Sequence, residues 1–432
     1  MQSPIVSTEL QQIAEQAVKE PDKVFTDIMH LVDVDFLREA YQRTRKDAAP
    51  GLDGVTARQY GEKLDENLQA LYERMRKGQY RAPAVKRIWL DKENGKKRPI
   101  GIPEFEDKVV QGAVSMLLGA VYEQDFYDVS YGFRPGRNPH QALQKLWEEC
   151  MRWNIGWIID ADVSGFFDSL EHHQLQDILK QRVNDGGVRR YIGKWLNAGV
   201  VDGESLSYPK QGTPQGGVVS PMLTNIYLHH VLDEWYVKEV KPRLKGHSFL
   251  IRFADDFVVG CEREDDARKV MEVLPKRFAR FLLTINPDKT RLVPFGRPSF
   301  RQEAGKGKGT FDFLGFTHYW AKSRRGTWVI KRKTARKRLR RTLKAIWQWC
   351  RINRHQPVGE QYQMLKLKLN GHYQYYGIRG NYRWLKRVYD YVYRAWRYWL
   401  SRRCSKGSIP WEKFRLFELV YPLPRPSIIH AI

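Results

Sequence analysis

Cysteine is scarce in this chain. Four thiols stand among 432 residues: Cys150, Cys261, Cys350 and Cys404. They are far apart and form no CxxC pair, which excludes a zinc knuckle or a cysteine-based metal finger. They read as buried thiols of a reducing compartment. Long apolar runs are missing too. The N-terminus has neither a signal core nor a stretch long enough to cross a bilayer, so no membrane partner is expected and the predicted location is the cytoplasm. Acidic residues run short in one place. From Ala321 to Ile432 there are 4 Asp+Glu against 28 Lys+Arg, a net of +24, whereas the preceding 320 residues carry a net of +1. A solvated face would mix both signs. Asymmetry of this size points to a polyanion partner. Seven of the 14 Trp lie in the same segment, which excludes a disordered basic tail. The segment should fold and should bind nucleic acid.

What is present suffices for two or three domains with real cores: 432 residues, 42% of them apolar. Residues 1–50 read as a polar helical extension that ends at the breaker Pro50-Gly51. From Gly51 to Trp320 helical patterns (Asp65–Lys77, Lys108–Val121, Asn138–Met151, His229–Glu239, Glu264–Phe281) alternate with short strands (Lys86–Leu90, Trp157–Asp162, Phe249–Phe253, Phe257–Cys261), an α+β layout. Gln302–Gly309, glycines among lysines, reads as a hairpin tip. No apolar strand feeds it, so it is not a phosphate loop. The rest reads as helical. Leu339, Leu343, Ile346, Trp347 and Cys350 share one helix face, with Lys331, Lys333, Arg336, Lys337, Arg340, Arg341 and Lys344 around it. Two more stripes follow, Leu365-Leu369-Tyr373-Tyr376 and Leu385-Val388-Val392-Ala395-Trp396-Trp399, giving a three-helix bundle with basic outer faces.

The chemistry concentrates at Phe253-Ala254-Asp255-Asp256, the tip of an apolar hairpin. A lone Asp-Asp pair reads first as a turn. Two ionised carboxylates side by side between buried strands are nevertheless costly unless a cation joins them. Asp162, at the end of the apolar run Trp157–Val163, can meet Asp255 if the two strands are neighbours. Asp160 lies on the same strand face but farther from its end. Carboxylates so grouped can hold two Mg²⁺ for phosphoryl or nucleotidyl transfer. Phe167 would lie where a nucleotide sugar rests and crowd a ribose 2′-OH. Gln215 and Gly216, in a Gly-rich turn before a helix, could approach a base or sugar edge. Lys92 and Arg98 offer charge to a triphosphate, with Arg98 anchored by Pro99–Pro103, and Lys289 adds one more cation. Arg336, Lys337, Arg340, Arg341 and Lys344 are the candidates for gripping a phosphate backbone.

The ordered blocks Gly51–Val55, Arg98–Pro103, Tyr131–Arg137, Phe166-Phe167-Asp168, Pro214-Gln215-Gly216, Phe253–Asp256 and Phe313–Phe316, followed by Leu369–Gly377, resemble those of the bacterial group II intron reverse transcriptase/maturase family. The resemblance covers most of the chain. It implies a right-hand polymerase with fingers and palm over 51–320, a helical thumb/maturase domain over 321–404 and a short basic DNA-binding tail over 405–432. It implies a metal triad of Asp162, Asp255 and Asp256, aided by the backbone carbonyl of Val163, with Mg²⁺ (Mn²⁺ the alternative ion) as cofactor. It further implies an RNA template, a DNA primer and a structured intron RNA as partners. Two departures stand out: Phe253 occupies the place of a commoner Tyr, and no paired cysteines follow, so the endonuclease-lacking form is expected. The alternatives are a non-enzymatic RNA-folding or splicing cofactor, and a related reverse transcriptase serving DNA repair or defence.

Overall fold

The computed structural model describes residues 4–91, 97–208, 211–212, 216–299, 309–403 and 407–432. Eleven strands occur among them: β1 (Val85–Asp91), β2 (Lys97–Ile102), β3 (Trp157–Ala161), β4 (Val200–Asp202), β5 (Ser205–Ser207), β6 (Ser248–Phe253), β7 (Asp256–Cys261), β8 (Arg291–Pro294), β9 (Phe311–Phe313), β10 (Phe316–Lys322) and β11 (Trp328–Thr334). They form three sheets, ordered β2-β1-β4-β5, β6-β7-β3-β8 and β11-β10-β9. With the helices between them, the α+β layout read from the sequence is the one the chain adopts. No described helix is long and apolar enough to cross a membrane. Cys150, Cys261 and Cys350 are buried free thiols, and Cys404 lies outside the described residues.

The chain divides into two compact units. The first comprises Met1–Asn138, Ala161–Val259 and Asp265–Arg291. Its centre is the Phe105–Asp125 helix, apolar nearly all round, against which the Pro4–Lys19 and Val34–Arg43 helices pack. Local signals set the helix starts. Asp33 accepts a hydrogen bond from Phe36 N, Asp185 accepts one from Val188 N, and Thr56 with Gln59 closes a reciprocal cap. β1 and β2 pair antiparallel with Leu90 opposite Arg98. Pro99 sits in edge strand β2, where its missing N–H costs no ladder bond. The segment expected as a helix from His229 is the continuation of a helix that starts at Ser220 and widens into π-helical turns over His229–Glu234 and Tyr236–Val240.

The second unit comprises Pro139–Asp160, Gly260–Glu264 and Leu292–Ile432. Here one expectation is corrected. Lys331 and Lys333 do not lie on a helix: they belong to β11, which pairs with β10 from Phe316 opposite Thr334 to Lys322 opposite Trp328. The side chains of β11 alternate between buried and half-buried along its whole length, the period of a strand. The density of basic residues hides that alternation in the sequence, because Arg332 is among the buried ones and donates to Leu143 O (3.2 Å). The helix begins only at Arg336. From there the stripes are as read: Leu339, Ile346, Cys350, Leu365, Leu369, Tyr373, Leu385, Val388, Val392, Ala395 and Trp396 form one core. A fourth helix, Trp411–Val420, adds Phe414 to that core, so the three-helix count was one short. The hairpin tip expected over Gln302–Gly309 falls almost wholly outside the described residues.

Candidate active site

β6 and β7 are buried along nearly their whole length, and the turn between them carries the acids. Ala254 takes a left-handed conformation (φ +56°), uncommon for a residue with a Cβ. A buried scaffold holds it there. The Arg252 guanidinium, fully enclosed, pairs with the equally buried Asp233 through Nε–Oδ1 (2.8 Å) and Nη2–Oδ2 (2.5 Å). Its Nη1 donates to Asn225 Oδ1 (3.0 Å) and to the Ala254 carbonyl (3.1 Å). Asn225 Nδ2 in turn donates to Gly132 O (2.8 Å). The backbone of Arg252 is tied on both sides, its N–H donating to Val129 O (2.7 Å) and its carbonyl accepting from Tyr131 N (2.9 Å). Gly132 then presses directly on the turn: a Cβ there would stand 2.3 Å from Ala254 N. The half-exposed Phe133, also at positive φ (+58°), sets its ring 6.5 Å from that of Phe253.

Asp255 is partly buried, and Asp256, the first residue of β7, is exposed. Burial pushes the Asp255 carboxyl above the usual carboxylate range. Repulsion from Asp162 adds to that, while its own backbone N–H, Arg98 and Arg252 pull the other way. Asp162 and Arg98 thus both act electrostatically on the Asp255 carboxyl. Asp162 follows the last residue of β3. Its backbone N–H donates to Thr290 Oγ1 (3.3 Å), its carbonyl accepts from Asn286 N (2.8 Å), and its Oδ2 accepts from Lys289 Nζ (2.8 Å). Lys289, expected as a contact to nucleotide, thus sits on the Asp162 carboxylate. The bridge between Val163 and Ile285 is made by flanking atoms, with Ser164 N donating to Thr284 O (2.8 Å), so it does not consume the Val163 carbonyl.

Phe167 lies on the short Phe166–Ser169 helix, its ring edge-on to the buried Phe166 (5.6 Å). Gly216 (φ +122°) packs on β2: a Cβ there would meet Gly101 O at 2.5 Å, so only glycine fits. Lys92 and Gln215 lie outside the described residues. Arg336, Lys337, Arg340, Arg341 and Lys344 are exposed on the Arg336–Ile352 helix of the second unit.

The carboxylates and the Val163 carbonyl are hard oxygen donors of the kind Mg²⁺ takes. Burial disfavours the charged form of the Asp255 carboxyl, a cost that a bound divalent cation would offset. Among the described residues, however, no three His, Cys, Asp or Glu side chains are gathered tightly enough to hold an ion as they stand.

Sequence reasoning missed the scaffold. A charged residue inside an apolar strand has to be paired when buried, so Arg252 was a signal. Its partner, 19 residues away in a π-helical turn, was not. A second buried cluster was missed as well. Asp107 accepts from Tyr80 Oη, from Trp195 Nε1 (2.8 Å) and from Gln111 Nε2 (2.8 Å), and Gln111 Oε1 accepts from Val218 N (2.7 Å), anchoring the segment after Gly216. Burial, opposed by those three donors, raises the Asp107 carboxyl to about 6.

Comparison with known proteins bears on this site. Residues 90–318 match the family model described as reverse transcriptase (RNA-dependent DNA polymerase). Over 330 residues the chain is 30% identical to protein YkfC of Escherichia coli K12, covering 67% of this chain and 84% of that one. Over 241 residues it is 34% identical to the group II intron-encoded protein LtrA of Lactococcus lactis subsp. cremoris, covering 55% of this chain and 40% of that one. Over 141 residues it is 28% identical to the nuclear intron maturase 4, mitochondrial, of Arabidopsis thaliana, covering 32% and 17% respectively.

Proposed function

The chain belongs to the group II intron reverse transcriptase/maturase family, and from that premise we propose that it extends a DNA primer along an RNA template using dNTPs, and also binds a structured intron RNA to assist splicing and mobility. The observation that supports this reading is the acidic turn itself: Asp255, within electrostatic reach of Asp162 and Arg98, stands on a turn held by the buried Arg252–Asp233 pair. A site of that rigidity suits chemistry that needs reacting groups held within a fraction of an ångström.

Asp162, Asp255 and Asp256, with the Val163 carbonyl, would hold Mg²⁺. When bound, that ion supplies a lowered pKa to the primer 3′-OH and charge neutralisation at the transferring phosphate. The chain's own residues do the rest. Arg98 directs a fixed fork of donors at triphosphate oxygens. Lys289 keeps the Asp162 carboxylate compensated and oriented. Phe167 walls off the sugar 2′ position, and Gly216 lets backbone come close to the nucleotide. Lys92 and Gln215 complete the nucleotide contacts. In this reading residues 51–320 act as fingers and palm, residues 321–404 as thumb, and residues 405–432 as a DNA-binding tail. Arg336, Lys337, Arg340, Arg341 and Lys344 hold the template–primer backbone through phosphates, with little sequence readout.

The test is extension of an end-labelled DNA primer on an RNA template by the purified chain with dNTPs and Mg²⁺. Full-length product that depends on the RNA template is expected. A folded protein that binds the template–primer and adds no nucleotide would overturn the polymerase reading.

A further inference from the structure

The C-terminal ends of the Arg336–Ile352 and Tyr382–Ser401 helices border a cavity of about 780 Å³. Arg351, Arg354, Arg397, Arg402 and Arg403 line it, with His355 beside them. Among the described residues no carboxylate lines it, and none pairs with any of the five guanidiniums. Arginine cannot shed its charge, so the mutual repulsion of such a group is relieved by an anion.

Main-chain carbonyls account for three of the five. Arg354 Nη1 donates to Arg351 O (2.7 Å), Arg397 to Ile409 O, and Arg403 to both Arg354 O and Gln356 O. Those bonds fix the guanidiniums in place, and the one from Arg354 satisfies a carbonyl in the last turn of the Arg336–Ile352 helix, where cations are favoured. Arg351 and Arg402 have no such role. Arg402 rests on the Tyr398 ring (4.6 Å), and Arg351 has no acceptor among the described residues. Two further side chains that line the cavity, Arg397 and Trp399, each carry a buried donor with no acceptor, Nε and Nε1 respectively. Unsatisfied buried donors are rare in folded proteins, and here they belong to residues that line the same hollow as the unpaired cations.

We propose that this cavity is a phosphate-binding site that takes a sharply turned, single-stranded segment of a folded RNA. Its five guanidiniums line one hollow. Phosphates of a duplex lie on a convex surface, whereas a strand that turns back on itself brings successive phosphates together, as loops of folded RNA do. The site is distinct from the phosphate grip at Arg336–Lys344, since Arg351 lies roughly 10 Å along the helix from Lys344, the nearer end of that grip. The proposal rests on the reading that the chain binds structured RNA and names where one turn of that RNA is held.

The experiment is fluorescence anisotropy of the full chain with a labelled RNA stem-loop, and with the blunt duplex of the same stem, across a salt series. The test variant is Arg351→Gln/Arg402→Gln, neither of which holds a main-chain carbonyl. The control, Lys241→Gln/Lys269→Gln, removes the same charge from exposed positions of the other unit. The pocket variant should bind the stem-loop about tenfold more weakly. Its log–log salt slope should fall by about 1.4, two single-strand phosphate contacts at ~0.7 each. Duplex affinity and the lysine control should change little. If the pocket variant does not fold, Arg402→Gln alone should lower the slope by about 0.7. A pocket variant that matches the lysine control, while wild type binds RNA, overturns this proposal and leaves the RNA-binding reading intact. A wild type that binds no RNA overturns that reading and the proposal with it. Inorganic tripolyphosphate separates the remaining source: if it binds wild type but not the variant while stem-loop affinity is the same for both, the cavity takes free oligophosphate and not RNA.

Discussion

Gly132→Ala isolates the positioning of the acidic turn from its chemistry. The added Cβ would lie 2.3 Å from Ala254 N, 2.9 Å from Phe253 C and 3.1 Å from Ala254 Cα. All three are backbone atoms, so no side-chain rotation relieves the contact. Ordinary van der Waals contact begins at 3.4 Å, so the two segments must part by roughly 1 Å, a displacement that costs on the order of 100-fold in rate when it falls on reacting groups. The turn cannot simply retreat, because Arg252 holds its carbonyl and strand contacts hold Arg252 from both sides. Part of the clash therefore remains as overpacking, about 1–3 kcal/mol of lost stability. The assay is single-nucleotide addition at saturating dNTP, alongside a thermal melt and template–primer binding. A fall of about two orders of magnitude in kcat is expected, with a modest drop in Tm and unchanged binding. Gly186→Ala, where a Cβ would meet nothing within 4 Å, is the control and should behave as wild type. A Gly132→Ala protein with wild-type rate and wild-type melt would refute the claim that this glycine fixes the turn.

Asp233→Asn strands the Arg252 charge in the core and should cost about 3–5 kcal/mol in urea unfolding. Arg252→Met/Asp233→Leu should recover most of that stability but not the activity, because the Ala254 carbonyl loses its donor; recovery of both would remove the pair from the site. Asp107 titrates at about 6 when folded, against 3.8 in the unfolded chain, so the stability it lends is complete below pH 4 and is lost as pH rises through 6. The stability difference between wild type and Asp107→Asn should shift in favour of the variant by on the order of 3 kcal/mol across that window, and a pH-independent difference from denaturation at several pH values would contradict it. Phe167→Val should raise the ratio of rNTP to dNTP kcat/KM; an unchanged ratio in an active enzyme would exclude Phe167 from sugar selection.

Much of this was legible because short apolar runs rich in β-branched and aromatic residues mark buried strands and show where they end. β3, β6 and β7 were read within a residue or two of their ends, and with them the positions of Asp162 and Asp255 at strand ends. The Glu264–Ala279 and Leu64–Arg76 helices were legible for the same reason, a clear periodic face. β11 was not, since Lys331, Arg332 and Lys333 obscure its alternation and burying an arginine is not what composition suggests. The Asp107 cluster was hidden because Asp107 looks like an ordinary polar residue in the first turn of a helix. Its partners Tyr80 and Trp195 lie 27 and 88 residues away. Distance along the chain also conceals the arginine cavity, whose members come from two helix ends. Periodicity reports which face is buried, but not which distant polar group meets it there.

The most direct test of the central claim compares wild type with Asp255→Asn, side by side, for binding to an RNA template–DNA primer and for extension with dNTPs and Mg²⁺. The substitution keeps the size of the side chain and removes a carboxylate on which Asp162 and Arg98 both act. The account predicts that binding is retained and that nucleotide addition is abolished. An Asp255→Asn protein that extends the primer at the wild-type rate would contradict the assignment of the catalytic site.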